Sequence, residues 1–142
     1  MRVSAKVDYA LRAMLELTGA EGLVKAERIA TAQAIPQKFL EGILLELRRA
    51  ELVTSHRGVD GGYALGRRAE EINVADVIRA VEGPIATVRG VRPDELQYPG
   101  AAQGLAQVWL DLRTAMRNVL EGTSLAEIAA SATPKTKRKP AA

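Results

Sequence analysis

The apolar positions near the start of the chain share one helical spacing. Val7, Ala10, Leu11, Met14 and Leu15 fall at i, i+3, i+4, i+7 and i+8 and predict an amphipathic helix that Gly19 and Gly22 end. The next segment, VKAERIATAQAI, directs Ile29, Ala30 and Ile35 inward and leaves Lys25, Glu27 and Arg28 wet, which fits a helix of about two turns. Pro36 suits a first helical position, and Phe39, Leu40, Ile43, Leu44 and Leu47 supply the buried face of a third helix. The period then changes. Leu52-Val53-Thr54-Ser55 and Tyr63-Ala64-Leu65 are β-compatible runs, separated by His56-Arg57-Gly58-Val59-Asp60-Gly61-Gly62. They predict a hairpin with a glycine-rich tip, Asp60-Gly61 being its turn dipeptide and Gly61-Gly62 its positive-φ positions.

Helical spacing returns at Asn73-Val74-Ala75-Asp76, a capping arrangement that opens a helix with Val74, Val77, Ile78 and Val81 inward. Gly83-Pro84 stops it. Residues 84–100 show no period and are too long for an ordinary connection, so they are either mobile or a site. The longest helical pattern runs from Ala101 to Glu121. Leu105, Val108, Leu112, Ala115 and Val119 form a heptad seam, which Trp109, Met116 and Leu120 widen. Such a seam wants a partner helix, and these eight residues are expected to serve dimerisation and core packing. Ser124-Leu125-Ala126-Glu127 reads as a capping box for a short helix ending near Ala130. The apolar-poor remainder is expected to be disordered.

The order helix, helix, helix, hairpin defines the expected fold: mainly α with a small β-hairpin wing, a winged helix-turn-helix followed by a long C-terminal dimerisation helix. The corresponding divisions are 1–83 for the winged domain, 84–100 for the loop, 101–130 for the dimerisation helix with a short C-terminal helix, and 131–142 for a basic tail.

Composition narrows the chemistry. The 142 residues suit one domain, and the absence of Cys removes thiolate metal sites, disulfides and cysteine nucleophiles together. With His56 as its single histidine, and neither a P-loop nor a dinucleotide fingerprint, the chain offers no foothold for catalysis or a metal. The charges in MRVSAKVDYALR come too early for the pattern expected of a signal peptide, and the longest uncharged run, Leu96 to Leu110, is too short to span a bilayer; a cytoplasmic protein is expected.

Charge is unevenly placed. Residues 1–68 carry 11 basic and 8 acidic side chains, residues 69–133 carry 5 and 9, and residues 134–142 carry 4 and 0, so the local charges are +3, −4 and +4. The alkaline pI of about 9.4 is thus largely the tail's. The first half is nevertheless basic by itself, as expected of a surface that faces a polyanion.

A helix starting at Pro36 turns unpaired N–H groups toward phosphate, and its outward Gln37, Lys38, Glu41 and Gly42 suit a major groove about 12 Å wide. Arg57, at the shoulder of the hairpin, suits a narrow minor groove, while Gly58, Gly61 and Gly62 permit close approach to the sugar-phosphate wall. The bland alternative is that any amphipathic helix has a polar face and any hairpin has glycines.

Four blocks in order, MRVSAKVDYALRAMLEL, IPQKFLEGILLELRRAELV, SHRGVDGGYALGR and INVADVIRAVEGP, resemble the Rrf2 family of bacterial winged-helix regulators across roughly residues 1–130. That family includes the iron-sulfur-cluster regulator, the nitric-oxide-sensitive repressor and the cysteine-metabolism repressor. The resemblance implies a homodimeric transcription factor, usually a repressor, that binds a partly palindromic operator in double-stranded DNA. Carried over by position, it places Lys38, Phe39, Glu41 and Gly42 on the groove-facing part of the recognition helix, Arg57 on the wing, and Arg2, Ser4 and Lys6 in a backbone-contacting N-terminal segment. Phe39 replaces a frequent Tyr.

The chain also departs from the family. Sensor members hold an iron-sulfur cluster with three cysteines between the post-wing helix and the long helix, where this chain has VRGVRPDELQYPGAAQ. Gln103 and Ala106 stand at the family's Cys and His positions ahead of Trp109. No cluster and no other cofactor is expected. Two competing readings stay open: a helical module that binds a protein such as an enzyme, and a regulator whose small-molecule effector sits between the long helix and the winged domain. The loop residues Arg89, Arg92, Asp94, Glu95 and Tyr98 form either such a site or a mere connection. The tail lysines either add nonspecific DNA affinity or only solubilise.

Overall fold

The computed structural model describes residues 1–132. The predicted disorder of 131–142 therefore concerns residues that lie, from 133 onward, outside the described ones.

Helix α1, Ala5–Thr18, starts at Ser4, whose hydroxyl accepts from the Val7 amide at 3.1 Å. Its buried line is Val7, Ala10, Ala13, Met14 and Leu17. Leu11 and Leu15, predicted in the stripe, sit on its flank and are half-buried, because the buried line centres on Ala10, about 100° around the helix from Leu11 and about 140° from Leu15. Helix α2, Ala26–Gln33, ends at Ala34 in the left-handed region, φ 52°, and the chain turns at once into α3, Gln37–Arg49. Pro36 is the residue just outside α3 rather than its first helical residue.

Leu40, Ile43, Leu44 and Leu47 bury the inner face of α3. Phe39 does not join them and is 44% exposed. It lies about 100° around the helix from Leu40, and its ring meets Tyr9 of α1 edge-on, with centroids 5.6 Å apart.

Strands β1, Val53–His56, and β2, Gly62–Leu65, pair antiparallel in the register Val53↔Leu65 to His56↔Gly62. The Gly61 amide donates to Gly58 O at 3.0 Å, so Val59 and Asp60 form the middle of the turn and Gly61 follows it. This corrects the expected turn dipeptide: positive φ falls at Gly58 and Gly62, not at Gly61. A third short run, absent from the sequence reading, joins the hairpin. Val24 and Tyr63 exchange both backbone hydrogen bonds, at 2.9 and 2.8 Å, tying the wing to the entry of α2. Here glycine is required at position 62, since a Cβ would stand 2.8 Å from Val24 O.

Helix α4, Val74–Glu82, opens on the predicted capping box: the Asn73 side chain accepts from the Asp76 amide at 2.9 Å and the Asp76 carboxylate accepts from the Asn73 amide at 3.0 Å. The aperiodic stretch 84–100 is a folded-back loop in which Ile85, Pro93 and Leu96 are buried. Its lack of period follows from its backbone, because Ala86, Arg89, Gly90 and Gly100 all take left-handed φ values.

Helix α5 covers Leu105–Glu121, beginning four residues later than predicted; 100–102 is a separate turn that starts at the left-handed Gly100. Helix α6, Leu125–Ser131, then returns to the first half of the chain. Val74 N donates to Thr123 O at 3.0 Å and Leu125 N to Ile72 O at 2.9 Å, and Leu125 is fully buried in the cluster that contains Met14, Leu44 and Leu47. The core is therefore built by α1 to α4, β1 and α6. Residues 125–131, grouped by sequence in one division with the long helix, pack on α1 and the 69–71 turn.

No residue of α5 is buried. The eight expected seam residues divide into two sets. Leu105, Val108, Ala115 and Val119 are exposed, Val108 by 53% and Val119 by 65%. Trp109, Leu112, Met116 and Leu120 are half-buried against the chain itself. The Trp109 indole donates to the Tyr98 hydroxyl at 3.0 Å, which fastens α5 to the loop. No helix among the described residues is long and apolar enough to cross a membrane.

Candidate nucleic-acid interface

The turn between α2 and α3 brings the start of α3 to the surface beside the hairpin. Gln37, Lys38, Glu41 and Gly42 are all exposed, and no atom lies within 4 Å of a Cβ built on Gly42. Ile43, Leu44 and Leu47 on the opposite face lock the helix to the core, so its outer face is held rigidly. Gln37 donates to Glu27 at 3.2 Å, a bond at an exposed site that water or a base edge can replace.

The wing completes one wall of a groove. Glu41 of α3, Arg57, Gly58, Gly61 and Gly62 of the hairpin, and Lys25 before α2 line a single cleft of about 430 Å³. Arg48 of α3 also lines it and donates to Ser55 of β1 at 3.1 Å, linking helix and hairpin. The lining holds Lys25, Arg48 and Arg57 against Glu27 and Glu41 and is net cationic. Gly61 is needed at the tip for a steric reason: a Cβ there would stand 2.2 Å from His56 O and 2.8 Å from the Arg57 carbonyl carbon.

The N-terminal candidates are disposed differently. Arg2 is exposed. Ser4 caps α1 and donates its hydroxyl proton to Glu82 of α4, so its side chain is committed to the fold. The Lys6 ammonium lies 2.9 Å from Glu46, toward the far end of α3 from Lys38. Neither meets the cleft residues. Lys25, Arg48 and Ser55 were missed in the sequence because the Val24–Tyr63 pairing and the Arg48–Ser55 bond that deliver them carry no local pattern.

A second set of charges lies at the junction of α4, the loop and α5. Glu121 accepts from Arg79 at 2.6 Å and from Arg117 at 2.9 Å, and these two hydrogen bonds, Arg79's first, hold its carboxyl below the usual range. Asp94 is also held low, first by its own backbone hydrogen bond and then by Arg92 and Arg113.

Comparison with known proteins is consistent along the whole described chain. The family model described as Rrf2, Iron-dependent Transcriptional regulator, matches residues 3–131. Rv1287 of Mycobacterium tuberculosis strain H37Rv, which carries the name of an HTH-type transcriptional regulator, is 50% identical over 136 residues, covering 94% of this chain and 84% of its own. Among solved structures, CymR (YrzC), the global cysteine regulator of Bacillus subtilis, superposes with a TM-score of 0.80 at 32% identity, covering 94% of this chain and 99% of its own. IscR of T. potens gives 0.78 at 30% identity, covering 99% and 94%.

The iron named in the family's description finds no suitable donors here. The sequence has no Cys, and of the carboxylates at the corresponding loop Asp94 is engaged by arginine, lying 3.1 Å from Arg113. His56 is on the wing, and no group of three His, Asp or Glu among the described residues is arranged to hold a metal. Iron-sulfur clusters are bound chiefly by thiolate, so these residues do not fit one. With its winged helix-turn-helix and its match over residues 3–131, the chain belongs to the Rrf2 family of DNA-binding transcriptional regulators and is not an enzyme.

Proposed function

We propose that the protein is a cluster-independent repressor that binds a partly palindromic operator as a homodimer. The observation that carries the DNA-contact assignment is the shared cleft, in which Glu41 and Arg48 of α3 stand beside the wing Arg57, with Lys38 and Gly42 exposed on the same helix outside the cleft lining. In that arrangement Lys38 reads guanine edges, Glu41 accepts from cytosine N4, and Gly42 lets the helix approach the bases closely. Arg57 enters the adjacent minor groove, and Gly58, Gly61 and Gly62 let the hairpin lie against the backbone. Arg2 adds a phosphate contact. The exposed seam of Leu105, Val108, Ala115 and Val119 supports pairing of α5 with a second copy. A two-fold dimer then reads half-sites whose centres lie about one helical turn, or a multiple of it, apart. A chromosomal ligand makes the cytoplasm its place of action.

Selection of bound sequences from a random duplex pool tests this reading, and an enriched palindrome is the expected result. On the selected site, Lys38→Ala is expected to reorder the ranking of operator variants, with a loss of about 1–3 kcal/mol in discrimination at one base pair. Arg57→Ala is expected to weaken binding most where the flanks are A·T-rich. An unchanged ranking removes Lys38 from base reading, and equal losses on all sequences reduce Arg57 to a phosphate contact.

A further inference from the structure

The ion pairs between α4, the loop and α5 leave positive charge in excess. Arg79 of α4, Arg92 of the loop, and Arg113 and Arg117 of α5 line one open cavity of about 480 Å³, together with Pro84 and Ile85. Glu121 engages Arg79 and Arg117, and Asp94 engages Arg92 and Arg113. Two carboxylates among four guanidinium groups leave two cationic charges uncompensated. Each guanidinium carries five donors, more than one shared carboxylate can occupy. The Arg113 Nε is itself buried and has no hydrogen-bond partner among the described residues. A buried donor without a partner is costly.

We propose that this cavity binds a small dianion, a molecule carrying either a phosphate group or a pair of carboxylates. Its volume lies within the range of small-molecule sites, and planar arginine forks match the oxygens of both groups bidentately. The bound anion touches α4 of the winged unit and α5 together. It therefore sets the angle between them, and through a paired α5 the separation of the two recognition helices. This regulatory consequence rests on the dimeric operator-binding reading above, whereas binding itself does not.

Titration calorimetry of the full chain without DNA, at constant ionic strength, tests the site with inorganic phosphate in one arm and succinate in the other. Saturable binding in at least one arm is expected, and the arm that responds identifies the class. Arg113→Gln and, independently, Arg117→Gln are expected to weaken it at least tenfold. Arg117 is 49% exposed, so its replacement keeps the test valid should Arg113→Gln fail to fold. Arg89→Gln, on the same loop but outside the cavity lining, is expected to bind as wild type does. No saturable binding in either arm, or unchanged binding in both cavity variants, overturns the site. The responding anion is further expected to shift affinity for the selected duplex about fivefold or more. Binding without such a shift overturns the regulatory role while leaving the DNA-binding reading intact.

Discussion

Replacement of Leu125 by alanine is expected to destabilise the whole winged unit by about 2–5 kcal/mol, the range found when a buried leucine leaves a cavity. Leu125 lies on the last helix, yet it is fully buried in the cluster that also holds Met14, Leu40 and Leu44. Two backbone hydrogen bonds, Val74 N to Thr123 O and Leu125 N to Ile72 O, form the Asn73–Ser124 bridge and bind its surroundings to the start of α4. Truncation therefore affects α1 and α4 as much as α6. In urea, far-ultraviolet circular dichroism and the hydrogen exchange of α1 amides should move together as one transition. Val59→Ala, at a position 89% exposed on the wing tip, should change stability by no more than about 0.5 kcal/mol. If Leu125→Ala melted only the C-terminal residues and left α1 protected, α6 would be an appendage rather than part of the core.

Gly61→Ala is expected to weaken DNA affinity with little change in helical content. The added Cβ would meet His56 O at 2.2 Å and the Arg57 carbonyl carbon at 2.8 Å, and both are backbone atoms that no rotamer change can remove. The turn closed by the Gly61 amide on Gly58 O must open, and the shoulder that carries Arg57 moves with it. A loss of at least about tenfold is expected, equivalent to about 1.4 kcal/mol, consistent with forfeiting one good charged contact to DNA. Fluorescence anisotropy on the selected duplex measures the affinity, and circular dichroism confirms that the helices persist. Wild-type affinity in this variant would take the wing out of the interface.

Both results bear on how far local pattern reaches. The capping box of Asn73 and Asp76, the stripe of Leu40, Ile43, Leu44 and Leu47, and the hairpin around residues 56–62 were legible because each depends on residues within a few positions. Phe39 was legible as apolar but ambiguous in direction. It sits at the edge of the α3 stripe, where burial depends on what Tyr9 of another helix presents. Ser4 and Lys6 matched a backbone-contacting segment by resemblance, but Glu82 and Glu46, distant in sequence, claim their polar atoms.

By itself, the sequence determined the order of elements, the basic first half, the lack of thiolate chemistry and the polar face that opens α3. These follow from side-chain identity and from periods of two or about four residues, which any short window contains. Only the tertiary structure decided that α6 completes the core, that Val24 anchors the wing, that α5 leaves its seam exposed, and that four arginines from three segments meet in one cavity. Those outcomes depend on closing loops of tens of residues. The closure entropy is offset only by contacts formed at both ends, and no local run of residues encodes where such ends will meet.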